Sequence, residues 1–323
     1  MPITSVTKDP EAVTLTVVAE FEAPLQRLWD AYLDPRQLER FWGPPTYPST
    51  FTRHDGCVSG RSDYAMTGPD GQVSRGYWEW LAVDDLKSFE VRDGFAGPDG
   101  VPNHAMPSMR MVFTFEATDT GSRVSTTTYF NTADELSKML EMGMEDGMRA
   151  AMGQMDAVLA DLASFAAGDG TTTQILSDTQ VRISRVIRGD VDAVWRAHHD
   201  KSLLQRWLLG PDGWTMPVCD VATEVGQTYR YEWEQEGGEG RFGFTGEVLE
   251  SLPPHRTVTT EAMIGMDGPS TTNELTLTAV DAGTLLSIVI TYPNAEVRDM
   301  VLATGMTDGM ETSYQRLEAT LAG

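Results

Sequence analysis

With 323 residues, 41% of them apolar and 9% aromatic, the chain can bury an ordinary core, and its length favours two domains of roughly 160 residues over one. Acids outnumber bases 48 to 24, a formal charge of −24, and no basic run appears, so nucleic acid and anionic membrane are poor partners. Cys57 and Cys219 fall in different halves and read as thiols. No run approaches the roughly 20 apolar residues of a spanning helix, and the start, MPITSVTKDPEAV, lacks leader features, so the expected location is the cytoplasm.

In chain order, VTLTVVAEFEA from Val13 alternates in part and is β-branched, which predicts a strand. The period then changes. Leu25, Leu28, Trp29 and Tyr32 lie at helical spacing and predict a short amphipathic helix. Asp34 and Pro35 look like the N-cap and first position of a second short helix that buries Leu38 and Phe41 and ends at Gly43 and Pro44. From about residue 48 to 130, β-rich runs are punctuated by GPDG and DTGS, the pattern of antiparallel hairpins. Asn131 or Thr132, the latter with Glu135 at N3, then caps one long helix. Its stripe is Leu136, Leu140, Gly143, Gly147, Ala151, Met155, Val158 and Leu162.

After AAGDGTTTQ, residues 166–174, which is polar and glycine-bearing like a linker, the pattern returns. Trp29, Ala31, Asp34, Leu38 and Arg40 recur as Trp195, Ala197, Asp200, Leu204 and Arg206. Tyr129 and Asn131 match Tyr292 and Asn294, and GMEDGM from Gly143 matches GMTDGM from Gly305. A repeat this long is a whole domain, so the chain reads as a tandem duplication, 1–165 and 175–323. Each copy is α+β, a hairpin-built sheet whose apolar face the last helix covers.

The stretch FEAPLQRLWDAYLDPRQLERFWGP and the GMEDGM helix with its apolar repeat, in this order of elements, resemble the heat-shock protein 90 ATPase activator homologue family of the START-like (SRPBCC) superfamily. The resemblance covers nearly all of both copies. It implies two helix-grip (START-like, Bet v-like) domains, each a curved antiparallel sheet wrapped around a long C-terminal helix with a hydrophobic cavity between them.

No metal, nucleotide or nucleophile signature occurs, so neither a metal nor a cofactor is expected. The adjacent His198 and His199 would point about 100° apart on a helix, poor geometry for one ion. The repeated G-M-x-D-G-M is the sharpest local signal. Glycine inside a helix costs about 1 kcal/mol, so Gly143, Gly147, Gly305 and Gly309 make room either for close helix-on-sheet packing or for a ligand. Met139, Met144 and Met148 crowd the first copy's helix, and Met306 and Met310 the second's; thioethers suit a surface that repacks around apolar shapes, or simply fill gaps in a core. Trp29, Trp78, Trp80, Trp195 and Trp233 either wall a cavity or belong to the core. Asp146 and Asp308 are the candidate acid/base groups if they face a cavity, and exposed capping carboxylates otherwise. The stretch RDGFAGPDGVPNHAMPS from Arg92 reads as a lid or a tolerated insertion. The function expected from fold and helix is binding of a small hydrophobic or amphipathic molecule. The alternatives are a chaperone- or stress-related role with a protein partner, and a cyclase- or aromatase-like enzyme.

Overall fold

The computed structural model describes residues 2–161, 170–210, 212–238, 240–266 and 268–323. The chain divides into two compact units, Met1–Phe165 and Ala166–Gly323. The first contains β1 (Ile3–Asp9), β2 (Thr14–Phe21), α1 (Leu25–Leu33), α2 (Pro35–Leu38), β3 (Ser49–His54), β4 (Arg61–Thr67), β5 (Val73–Asp84), β6 (Ser88–Ala96), β7 (Ser108–Thr118) and β8 (Gly121–Tyr129). Helices α3 (Ala133–Glu141), α4 (Met144–Met152) and α5 (Met155–Ala160) follow. Its sheet runs β1-β2-β8-β7-β6-β5-β4-β3, antiparallel at every pairing.

The second unit repeats this order with β9 (Thr172–Ile175), β10 (Gln180–Ile187), α6 (Val191–His199), α7 (Lys201–Trp207), β11 (Trp214–Asp220), β12 (Thr228–Gln235), β13 (Arg241–Leu252), β14 (Arg256–Met263), β15 (Thr271–Val280), β16 (Gly283–Thr291), α8 (Ala295–Leu302) and α9 (Met306–Leu321). Its sheet is β11-β12-β13-β14-β15-β16-β10-β9, the same topology. No helix among the described residues is long and apolar enough to cross a membrane.

Local chemistry explains the elements. In β2 the alternate residues Leu15, Val17, Ala19 and Phe21 are buried; Ala19 and Phe21 share a core with Leu28, Trp29 and Tyr32 of α1, and Leu15 and Val17 pack with Met109, Phe130 and Leu136. Asp34 caps α2 by accepting from Arg36 N at 3.0 Å, with Pro35 at the first helical position, and Asp200 caps α7 through Ser202 N and Leu203 N. Thr132 caps α3 through Glu135 N, and its counterpart is Asn294, which accepts from Val297 N. The helix caps therefore fall 162 residues apart, in step with the two glycine motifs, and Asn131 does not take part as a cap.

Three expectations change. The edge strands β1 and β9 were unmarked; β9 occupies part of the stretch read as linker, and residues 166–169 lie outside the described residues. These two edge strands are mostly exposed, β9 entirely so, and so carry no apolar alternation. The single long C-terminal helix is broken in both units, because Gly143 (φ +87°) and Gly305 (φ +79°) adopt the left-handed conformation that ends one helix and starts the next. The first unit breaks again at Gly153 and Gln154, where Gln154 Nε2 donates to Gly43 O, whereas the second has Gln315 and Arg316 there and α9 runs on unbroken. Leu162, the last residue of the predicted stripe, lies outside the described residues.

Two glycines four apart thus have opposite requirements. Gly143→Ala is expected to cost roughly 1–2 kcal/mol, although a Cβ there meets nothing within 4 Å, because the strain is in the backbone. Gly147→Ala, at a helical position with the same open space, is expected to stabilise by about 0.5–1 kcal/mol. Denaturant titration of the two variants against the parent checks the pair.

Candidate functional site

Helices α3 and α4 rest on the sheet of the first unit through Met139, Met144 and Met148, packed near Leu15, Val17 and Phe130, and a cavity of about 340 Å³ lies between them and the sheet. Its helix side is thioether and glycine: Met139, Met142, Gly143, Met144, Gly147, Met148 and Met152. Its floor comes from four strands, with Tyr64 and Met66 on β4, Asp93 and Phe95 on β6, Met109, Met111 and Phe113 on β7, and Thr126 on β8. Trp42 and Pro44, just after α2, close one end. Met142 is 67% exposed, so the cavity reaches solvent at the helix break.

Two polar groups of this apolar space, Asp93 and Tyr64, meet at one place. Asp93 follows Phe89 and Val91 on the inward face of β6 and is only 8% exposed. Tyr64 Oη donates to Asp93 Oδ1 at 2.9 Å from a strand two places away. The reach is possible because Tyr64 pairs with Gly76 on the intervening β5, where a Cβ would stand 2.3 Å from the tyrosine ring. Burial pushes the Asp93 carboxyl up from the ordinary 3.8 to about 7, with the Tyr64 and Trp78 side chains pulling it partly back. Tyr64 is held well above the usual phenol range by burial and by the neighbouring carboxylate. The indole nitrogens of Trp42 and Trp78 beside them, and Thr126 Oγ1 farther along the floor at the level of Phe113, are buried with no hydrogen-bond partner at normal distance.

An acid recurs at the equivalent point of the second unit. From the helix caps, the 162-residue step carries the pair Met111 and Thr128 to Asn273 and Ile290. It likewise carries Met109, the partner of Asp93, to Thr271, the partner of Glu261. Tyr229 lies across Gly246 on β13, its hydroxyl donating to Thr260 O at 2.9 Å with Glu261 Oε2 3.4 Å away. Burial raises the Glu261 pKa as well.

A family model for activator of Hsp90 ATPase homolog 1-like proteins matches residues 22–160 and 189–322, most of both units. The chain belongs to this family. Among solved structures, a Mycobacterium smegmatis protein is 45% identical over 49% of this chain and 98% of its own (TM-score 0.46). A protein from Arthrobacter aurescens is 42% identical over 49% and 92% (TM-score 0.47), and one from Rhodobacter sphaeroides 32% over 48% and 99% (TM-score 0.45). No curated protein sequence matches the chain closely. The first match to the activator-homolog model spans every residue that lines the cavity.

Within this activator-homolog fold the expected site residues separate. Met139, Gly143, Met144, Gly147 and Met148 line the cavity together. Trp29, Trp78 and Trp80 do not line it. Trp29 packs edge-on against Phe115, Trp78 lies under Trp42, and Trp80 Nε1 donates to Ser62 Oγ, all deep in the core. In the second unit Trp195 stacks on His199, and Trp233 donates to Leu208 O and stacks on Phe242. Met306 and Met310 pack on the cluster around Ile183 and Ile290, while Gly305 and Gly309 are exposed. Asp146 and Asp308 are exposed at the third position of α4 and α9, where a carboxylate complements the helix N-terminus, and Asp146 is not part of the cavity wall. His198 and His199 each turn back onto a carbonyl of their own helix, Val194 O and Trp195 O. Of the glycine-rich stretch after Arg92, only residues 97–107 form a loop. Phe95 reaches the cavity from the strand itself, and Met106 is exposed.

Asp93, Tyr64, Trp42 and Thr126 were missed. In SFEVRDGFA the carboxylate occupies an inward place between Val91 and Phe95, a readable signal, but its pairing with Tyr64 depends on sheet register.

Proposed function

We propose that the first activator-homolog domain is a cytoplasmic binding protein for a small amphipathic molecule held between its sheet and its C-terminal helices. One observation carries this: a cavity of about 340 Å³, walled by flexible thioethers and aromatic rings, with a hydrogen-bonding corner at Asp93. Cys57 and Cys219 are buried thiols, one in each unit, which fits a reducing compartment.

Titration of the full chain with the neutral fluorophore N-phenyl-1-naphthylamine is expected to give a saturable rise in emission. Native mass spectrometry of protein isolated without denaturation is expected to show a small-molecule adduct. No saturable emission, together with co-isolation of a protein partner alone, would overturn the reading in favour of the chaperone-linked role that the family's description suggests.

A further inference from the structure

We propose that the occupant's polar end is a cationic amine seated on Asp93, with its apolar body running along the methionine wall; this rests on the cavity being a binding site. Asp93 stands in the cavity wall, and among the described residues no lysine or arginine pairs with it. Buried carboxylates are ordinarily paired, so one that meets only neutral donors and an open cavity lacks a counter-ion that a ligand can supply. Tyr64 Oη already donates to Oδ1, which fixes the carboxylate as an acceptor and leaves its other oxygen to a donor arriving through the cavity.

The rings of Trp42 and Tyr64, 6.1 Å apart and edge to face, and those of Phe95 and Phe113 border the same space, and π faces stabilise a cation where they would not stabilise an anion. The chain's charge of −24 favours encounter with cations. A carboxylate-headed lipid of the same shape would face direct repulsion from Asp93. Around Asp93 the sheet presents Tyr64 from β4, Trp78 from β5 and Met109 from β7. Tyr64 alone of these titrates, and it stays protonated.

Isothermal titration of the full chain with decylamine, 1-decanol and decanoate, which share one tail, separates the possibilities. At pH 8 decylamine is expected to bind about ten-fold or more tighter than decanol, with decanoate weakest. Between pH 8 and pH 6 the amine's affinity is expected to fall about ten-fold as Asp93 takes up its proton, while decanol's does not change. Asp93→Asn is expected to abolish both the preference and the pH dependence and to keep decanol binding; Glu261→Gln is expected to leave the preference intact. Equal binding of amine and alcohol, or a preference that survives in Asp93→Asn or disappears in Glu261→Gln, would overturn the assignment. If none of the three binds, the binding reading of the cavity fails instead.

Discussion

Asp93→Asn is expected to stabilise the first domain by about 4 kcal/mol at pH 8 and to change its stability little at pH 4. An ordinary aspartate releases its proton near pH 3.8, whereas burial holds the proton on Asp93 up to about pH 7. Between those values the folded domain binds more protons than the unfolded chain, so stability falls as pH rises. The destabilisation is absent below about pH 4 and complete above about pH 7. Asparagine keeps an acceptor for the Tyr64 hydroxyl and removes the charge, so the variant loses the pH-dependent part alone. Hydrogen exchange at the amides of β6 and β7 reads the first domain separately from the second and tests the difference at the two pH values. A variant no more stable than the parent at pH 8 would show that the carboxylate is solvated or paired in solution.

Such a cost at Asp93 is informative about design. A fold retains an isolated buried acid when the acid does something, and replacing it with an apolar residue would ordinarily be neutral or stabilising. The same position of the second domain again bears an acid, Glu261, but its tyrosine is placed differently. Tyr64 pairs with Gly76, whereas Tyr229 pairs with Gly246 further along the strand. The acid has kept its place while the hydroxyl that reaches it has come from another residue.

How much of this was legible depended on whether a feature lives in local pattern or in register. The duplication, the capped short helices and the hairpin-rich sheet are written in spacing and turn chemistry, and the crowding of Met139, Met144 and Met148 marked one wall of the cavity. The edge strands β1 and β9 were invisible because they bury too little to leave a periodic trace. The helix break was hidden because Gly143 and Gly147 look alike in sequence. Only φ separates a left-handed glycine that ends a helix from a helical one that opens a space. Of the two readings open for the tryptophans, core holds for Trp29, Trp78 and Trp80 for a simple reason: a large inward-facing ring fills a core unless a neighbour leaves a gap, and the gap here lies beside α4, away from Trp29 and Trp80. Asp93 needed both its strand phase and the three-strand contact with Tyr64, which no single-sequence pattern specifies.

Gly147→Leu is expected to stabilise the first domain by about 2–3 kcal/mol while weakening N-phenyl-1-naphthylamine binding by at least about ten-fold. Glycine at this helical position costs about 1 kcal/mol in conformational freedom, a Cβ built there meets nothing within 4 Å, and Gly147 borders the cavity, so a larger side chain has room at its base beside the space the ligand needs. A leucine that fills part of this methionine-walled space is expected to bury apolar surface where the ligand would bind. Stability and binding should therefore move in opposite directions, the signature of a site kept open for function. Gly309→Leu in the second domain is the control. Gly309 is exposed, so leucine there should gain little beyond helix propensity, about 1 kcal/mol or less, and should leave the probe's affinity for the first domain unchanged. Thermal denaturation and probe titration on the two variants decide the matter. A Gly147→Leu protein that is less stable than the parent would mean that helix and sheet close together at that point in solution, and that the glycine serves packing.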